Sequence, residues 1–211
     1  MGVLIKKQII QKLHENQLSF SPPLDVFQLR SHAVDLRLGF TFMIGKKWIL
    51  NEKGRLGVHI DHLSQNKSQF EIVELEQGQY FEILPNEFII VSTLERLQMP
   101  NDLMAVLYPR SSINRQGLSV DLSGIVDAGY VGNLIIPIRN NNTNQSVRLY
   151  PGERFCQLVF HNLNEKIETV ESRYHNKDIF IGRLPEKDSE EIDLLKQGDI
   201  KTLKKIYKLD F

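Results

Sequence analysis

One cysteine in 211 residues leaves no partner for an intrachain disulfide, so the fold must be held by its apolar core. The chain also has no surplus of charge, with 26 Lys+Arg against 26 Asp+Glu. A general nucleic-acid binder needs a basic excess to meet phosphates, and this balance argues against one. Long apolar runs are missing too, since no stretch approaches the roughly 20 residues that span a bilayer. The start, MGVLIKKQII, has a short charge-free stretch and no small-residue cleavage site, so no secretory signal is expected. The expectation is a cytoplasmic protein with neither membrane nor nucleic acid as partner. What remains, 41% apolar and 25% charged, is a globular composition of one core with or without an appendage. Neutrality still permits a small anionic ligand held by a few local charges.

The first segment has helical spacing. Ile5, Ile9, Ile10 and Leu13 share one side, with Lys6, Lys7, Gln11 and Lys12 on the other, until Ser21-Pro22-Pro23 ends the pattern. From about residue 34 to 162 the pattern changes to short extended runs. Strands are expected at Asp35–Ile44, Gln69–Leu75, Tyr80–Leu84, Phe88–Ser92, Met104–Tyr108, Asn133–Arg139, Ser146–Leu149 and Arg154–Phe160. Many strands without helices between them indicate an antiparallel sandwich or barrel. The last segment turns helical again: Asp188 and Glu191 suit a capping box, Gly198 interrupts, and Asp199 suits the cap of a final turn. The lysines of that turn read as a solvated face near a helix C-terminus.

Several chemical signals are weak on inspection. His59-Ile60-Asp61-His62 has metal-like spacing only as a helix, yet it sits in a polar loop stretch. Cys156 lies inside an apolar strand and reads as a buried, inert thiol. Ser111 and Ser112 lack the G-x-S-x-G elbow, and no G-x-x-x-x-G-K phosphate loop exists. The unusual stretch is YPRSS (108–112) through Gly117, followed by GIVDAGYVG (124–132). Arg110 beside two hydroxyls, with Arg115 five residues on, suits phosphate oxygens. Asp127 is flanked by apolar residues and glycines, where a carboxylate can orient a water or take its proton. The same residues also fit a plain structural reading, in which the glycines make turns and Arg110 pairs with Asp127.

Taken with VDLRLG (34–39) and GERFCQLVF (152–160), these stretches resemble the ordered motifs of the trimeric dUTPase and dCTP deaminase superfamily. The resemblance implies a mainly β, dUTPase-like jelly roll with an N-terminal helix and a helical C-terminal extension. It divides the chain into a β domain at 1–175 and an arm with helices at 176–211. It implies a homotrimer with active sites between subunits, and a deoxynucleoside triphosphate ligand bound with Mg²⁺. By motif position, Asp127 is the catalytic carboxylate, and Tyr130 lies beneath the deoxyribose. Arg110, Ser111, Ser112, Arg115 and Gln157 belong with the phosphates. Gly124 and Asp121 belong with the base, and Tyr174 with the C-terminal tail. Asp35 supports Arg110 and the metal-bound phosphates through water, with no direct metal ligand among the residues.

The two branches of the superfamily are mixed in this sequence. The N-terminal helix, VDLRLG, and R-S-S-x-x-R through Arg115 resemble the deaminase branch. In NLIIPIRN, however, Pro137 aligns with the deaminase glutamate that shuttles protons during attack on cytosine C4. Proline has no proton to give, and loss of such a group costs about 10²–10⁴-fold. Proline also lacks a ladder donor, so an edge or bulge is expected there. Pro109, Gly124 and the Asp127–Tyr130 offset resemble the dUTPase branch, although its glycine-rich arm is missing. The principal expectation is therefore a dUTP diphosphatase that yields dUMP and pyrophosphate. The alternatives are a dCTP deaminase, alone or bifunctional, and a non-catalytic nucleotide-binding regulator.

Overall fold

A computed structural model describes residues 2–59, 70–120, 124–167 and 189–208. The chain divides into two compact units, Met1–Gly45 with Phe70–Phe180, and Lys46–Gln69 with Ile181–Phe211.

The first unit opens with helix α1 (Lys6–His14), whose N-terminus is closed by Gln8, as its Oε1 accepts from the Ile5 N–H at 3.0 Å. Ile9 of this helix and Leu4 before it are buried in the core. The strands are β1 (Ser19–Ser21), β2 (Val34–Gly45), β5 (Phe70–Glu74), β6 (Phe81–Ile83), β7 (Phe88–Gln98), β8 (Leu103–Pro109), β9 (Leu118–Val120), β10 (Ile125–Val126), β11 (Val131–Asn140), β12 (Val147–Leu149) and β13 (Arg154–Asn162), with helix α2 (Ser111–Arg115) between β8 and β9. Nine of these strands form one sheet in the order β10-β8-β13-β2-β7-β11-β9, with β1 added to β7 and β5 to β2, while β12 pairs β6. The expected mainly β jelly roll, with a short N-terminal helix and helices near the C-terminus, is what forms.

Strand β2 joins the two halves of the sheet. Its first residues, Val34–Arg37, pair β13, whereas Phe42–Ile44 pair β7 and β5. The change of neighbour coincides with a register shift against β7 between Leu38 and Phe42. Gly39 lies in that shift, where a Cβ would collide with Ser92 Oγ and come within 2.9 Å of the Thr93 carbonyl oxygen. Only glycine lets the two backbones approach so closely.

Strand β7 runs six residues beyond the expected Ser92 because its inner positions accept polar groups. Ser92, Thr93 and Glu95 are all buried in it. Pro137 pairs Ile90 of β7 within an unbroken register, and the irregularity expected there falls between Asn133 and Ile135 instead. Strands β1, β9 and β10 are too short to leave a periodic signal, and the sequence reading did not anticipate them.

The second unit contains a hairpin, β3 (Trp48–Asn51) with β4 (Gly54–Gly57), and helices α3 (Ser189–Gln197) and α4 (Ile200–Ile206). Gly54 takes φ 97° in the hairpin turn, and Arg55 lies over the Trp48 ring at 5.2 Å. Asp199 caps α4 as expected, with its side chain accepting from the Thr202 N–H at 3.1 Å. Asp188 lies outside the described residues. Among the described residues no helix is long and apolar enough to cross a membrane.

Candidate active site

Strand β13 lies between β2 and β8, and this places three of the four sequence motifs side by side. Gln157 pairs both Asp35 of β2 and Tyr108 of β8. Arg110 follows β8 as the residue before α2, with extended backbone angles of −75° and 142°, and its N–H donates to the Phe155 carbonyl at 3.1 Å.

The centre of this end is Asp35, 1% exposed. Its Oδ2 receives Arg30 through Nε at 2.9 Å and Nη2 at 2.8 Å, Arg110 through Nε at 3.2 Å, and Arg154 through Nη1 at 3.4 Å. Arg110 Nη1 also donates to the Arg154 carbonyl at 2.8 Å, and Arg154 Nη1 to the Phe27 carbonyl at 2.6 Å. The ion pair of Arg110 is thus with Asp35, not with Asp127 as the plain structural reading offered. Three guanidinium groups share one carboxylate, so the cluster carries a local positive excess in a neutral chain. Arg154 registers that excess: burial, then the charges of Arg110 and Arg30, lower its pKa, while Asp35 opposes them. Arg37 stands apart, pairing Asp25 at 2.7 Å and donating to the Gly152 carbonyl at 2.5 Å.

A buried amide–acid pair supports the loop that carries Arg30. Gln28 Nε2 donates to Glu95 at 2.7 Å and to the Asp35 carbonyl at 3.0 Å, while its Oε1 accepts from the Asp25 N–H at 3.1 Å. The other oxygen of Glu95 accepts from the Arg37 N–H at 2.9 Å. Burial raises the Glu95 pKa, and the donors from Arg37 and Gln28 partly offset the rise. None of Gln28, Arg30, Glu95 and Arg154 was singled out in the sequence. Arg154 sits inside a quoted motif, but Glu95 is bonded by groups 67 and 58 residues away, and Gln28 and Arg30 lie in a short polar loop without periodicity.

Ser111 is exposed on α2, Ser112 is half-buried, and Arg115 is exposed at the end of the same helix. Cys156 is fully buried in β13, and burial, with the charges of Glu95 and Asp35, pushes its thiol well above the usual range. It is the buried thiol expected. His59 lies in the loop after β4, and His62 falls outside the described residues, as do Asp121 and Tyr174. No cluster of three or more His, Cys, Asp or Glu suited to a metal occurs among the described residues.

The fourth motif occupies another part of β8. Strand β10 pairs Ile125 with Val106 and Val126 with Ala105. Gly124 is required here, because a Cβ would lie 2.7 Å from the Leu107 carbonyl oxygen, the backbone against which Gly124 packs. Asp127 follows β10 and is exposed, and its carbonyl accepts from the Tyr130 N–H at 3.2 Å. Tyr130 packs against the core and donates its hydroxyl to the Asn133 carbonyl at 2.7 Å, and burial raises its pKa to about 12. Continuing the β10 register puts Asp127 level with Met104, six residues along β8 from Arg110. At about 3.3 Å per residue, that is roughly 20 Å.

A family model of dCTP deaminase-like proteins matches residues 3–163. A protein of Dictyoglomus turgidum named dCTP deaminase, dUMP-forming is 36% identical over 183 residues, covering 83% of this chain and 90% of that protein. One of the same name from Methanobrevibacter smithii is 33% identical over 171 residues, covering 80% and 84%. The crystal structure of 2′-deoxycytidine 5′-triphosphate deaminase from Agrobacterium tumefaciens shares the fold, with a TM-score of 0.55 at 22% identity, over 75% of this chain and 48% of that one. These relatives overturn the expectation of a dUTP diphosphatase as the principal activity, because similarity over 80–83% of the chain runs to proteins named dCTP deaminase, dUMP-forming. That expectation weighted Pro137, Pro109, Gly124 and the Asp127–Tyr130 offset above the similarity of the rest of the chain. By the match of its β domain and the order of its motifs, this chain belongs to the dCTP deaminase-like family.

Proposed function

We propose that the protein binds dCTP and converts it to dUMP, ammonia and pyrophosphate, the activity for which its relatives are named. The observation that carries the reading is the convergence of Arg30, Arg110 and Arg154 on one buried carboxylate. Such an excess of preorganised cations is what a triphosphate requires, and Ser111, Ser112 and Gln157 lie beside it. Asp127, exposed and next to the half-buried Tyr130, is suited to orient a water for in-line attack at the α-phosphorus. The Tyr130 ring, held by its bond to Asn133, offers an apolar floor for a sugar.

Mg²⁺ fits this set only as a companion of the triphosphate. Asp35 Oδ2 is engaged by arginines, and Mg²⁺ favours phosphate oxygens and water over an all-protein cage. When bound, it neutralises phosphate charge. The separation of about 20 Å along β8 between Asp127 and Arg110 supports a homotrimer whose sites lie between copies. One chain then presents its arginines to the Asp127 hairpin of the next.

Pro137 favours a second reading, a nucleotide-binding homologue without turnover, because no acid or base replaces it on β11. Incubation with Mg²⁺ and dCTP, followed by assays for ammonia, pyrophosphate and dUMP, separates the two. All three products support the first reading. Unchanged dCTP that remains bound supports the second.

A further inference from the structure

Arg30 lies outside every motif, on the segment leading into β2, yet it makes the two shortest contacts to Asp35 Oδ2, at 2.8 and 2.9 Å. Arg110 and Arg154 reach the same oxygen at 3.2 and 3.4 Å. A carboxylate oxygen has two lone pairs, so four N–H contacts oversubscribe it. The three cations are not equally fixed. Arg110 and Arg154 each hold a backbone carbonyl as well, whereas among the described residues the Arg30 side chain bonds to Asp35 alone. Arg30 is also the most exposed, at 44% against 23% and 25%. Its backbone is nonetheless anchored: its N–H donates to the Ala33 carbonyl at 2.9 Å, and neighbouring Leu29 bridges to Val34.

We propose that Arg30 is a phosphate-binding residue that leaves Asp35 for an incoming polyphosphate and so sets its affinity. The proposal rests on reading the cluster as the triphosphate site. Asp35 is the anion that holds the Arg30 fork. Moving that fork to a phosphate exchanges one charge-assisted pair for another. It also frees lone pairs on Asp35 Oδ2, which Arg110 and Arg154 then hold without competition. The exchange costs little at Asp35 and gains a full pairing with a multiply charged ligand.

Inorganic tripolyphosphate, which has neither base nor sugar, is the probe. Calorimetric titration into the full chain at low ionic strength is expected to give about tenfold weaker binding for Arg30→Gln than for wild type. Arg30→Lys, which keeps the charge and loses the fork, is expected in between. The thermal midpoint of the ligand-free variants should change little. Equal tripolyphosphate affinity in wild type and Arg30→Gln overturns the proposal, as does a wild type that fails to bind tripolyphosphate. If the glutamine variant does not fold, unchanged affinity in Arg30→Lys overturns it as well. Tripolyphosphate binding that weakens in Arg30→Gln, in a protein that leaves dCTP untouched, counts against the proposed turnover and supports the role of Arg30.

Discussion

Around Arg110, at the C-terminal end of β8, charged groups share partners: one carboxylate serves three guanidinium groups, and two of those also hold backbone carbonyls. Asp127, beside the other half of the same strand, is exposed, and among the described residues its carboxylate has no hydrogen-bond partner. The first region is built on one shared counter-charge, with Arg110 and Arg154 fixed in addition to backbone carbonyls. The second is held by backbone and by the Tyr130 ring, with the Asp127 carboxylate exposed. Replacing Asp35, the counter-charge that all three cations share, should therefore disturb folding and binding together. One at Asp127 should disturb chemistry alone.

The sharpest way to break this contrast is Asp127→Asn. On the proposed reading, in which Asp127 orients the attacking water, this change is expected to lower conversion of dCTP by about 10²–10⁴-fold. Stability should stay within about 0.5 kcal/mol of wild type, as for other exposed substitutions. A large fall in the urea midpoint would show that Asp127 is structural, and the contrast would fail. Asp35→Ala tests the other end. It leaves three arginines without their shared counter-charge and is expected to destabilise the fold by about 3 kcal/mol in urea unfolding. Unchanged stability would mean that water already screens the cluster.

Tyr130 supplies a titratable marker within the hairpin region. Its folded-state pKa of about 12 lies above the ordinary tyrosine value of 10.0. Its contribution to stability is therefore complete below pH 10 and is lost as pH rises through about 12. Two units correspond to roughly 2–3 kcal/mol. Tyr130→Phe should remove that alkaline decline, and a variant with the same pH profile as wild type would show the hydroxyl to be solvated. The smallest effect is expected at Glu95. Burial raises its pKa above 4.5, so its titration favours folding most below pH 4.5 and less as pH rises through the folded value. The stability difference between wild type and Glu95→Gln should narrow across that interval. A difference independent of pH would place the Glu95 proton outside the folding equilibrium.

The β architecture was legible because the strands that build it are long enough to alternate, and because Gly39, Gly124 and the Asp127–Tyr130 spacing sit in recognisable motifs. The positions that misled or escaped are of another kind. Glu95 looks like the end of a strand, since an acid in an apolar run normally marks the surface. Its partners, Gln28 and the Arg37 N–H, are 67 and 58 residues away in sequence. Arg30 escaped for another reason: its partner Asp35 is only five residues on, but a short polar loop acquires meaning only when β8 and β13 bring Arg110 and Arg154 to the same carboxylate. Pro137 was given too much weight because one departure at a chemical position speaks loudly against a background that a single sequence cannot show.

The burial of Cys156 has a practical consequence. The chain has a single thiol, fully enclosed in the strand that binds β2 to β8. A thiol-modifying dye cannot reach it while those three strands remain paired. Its rate of labelling in native buffer is therefore a clock for the opening of the sheet beneath the arginines. A ligand that fastens Arg30, Arg110 and Arg154 to one another should slow that clock, and no reporter group needs to be introduced to read it.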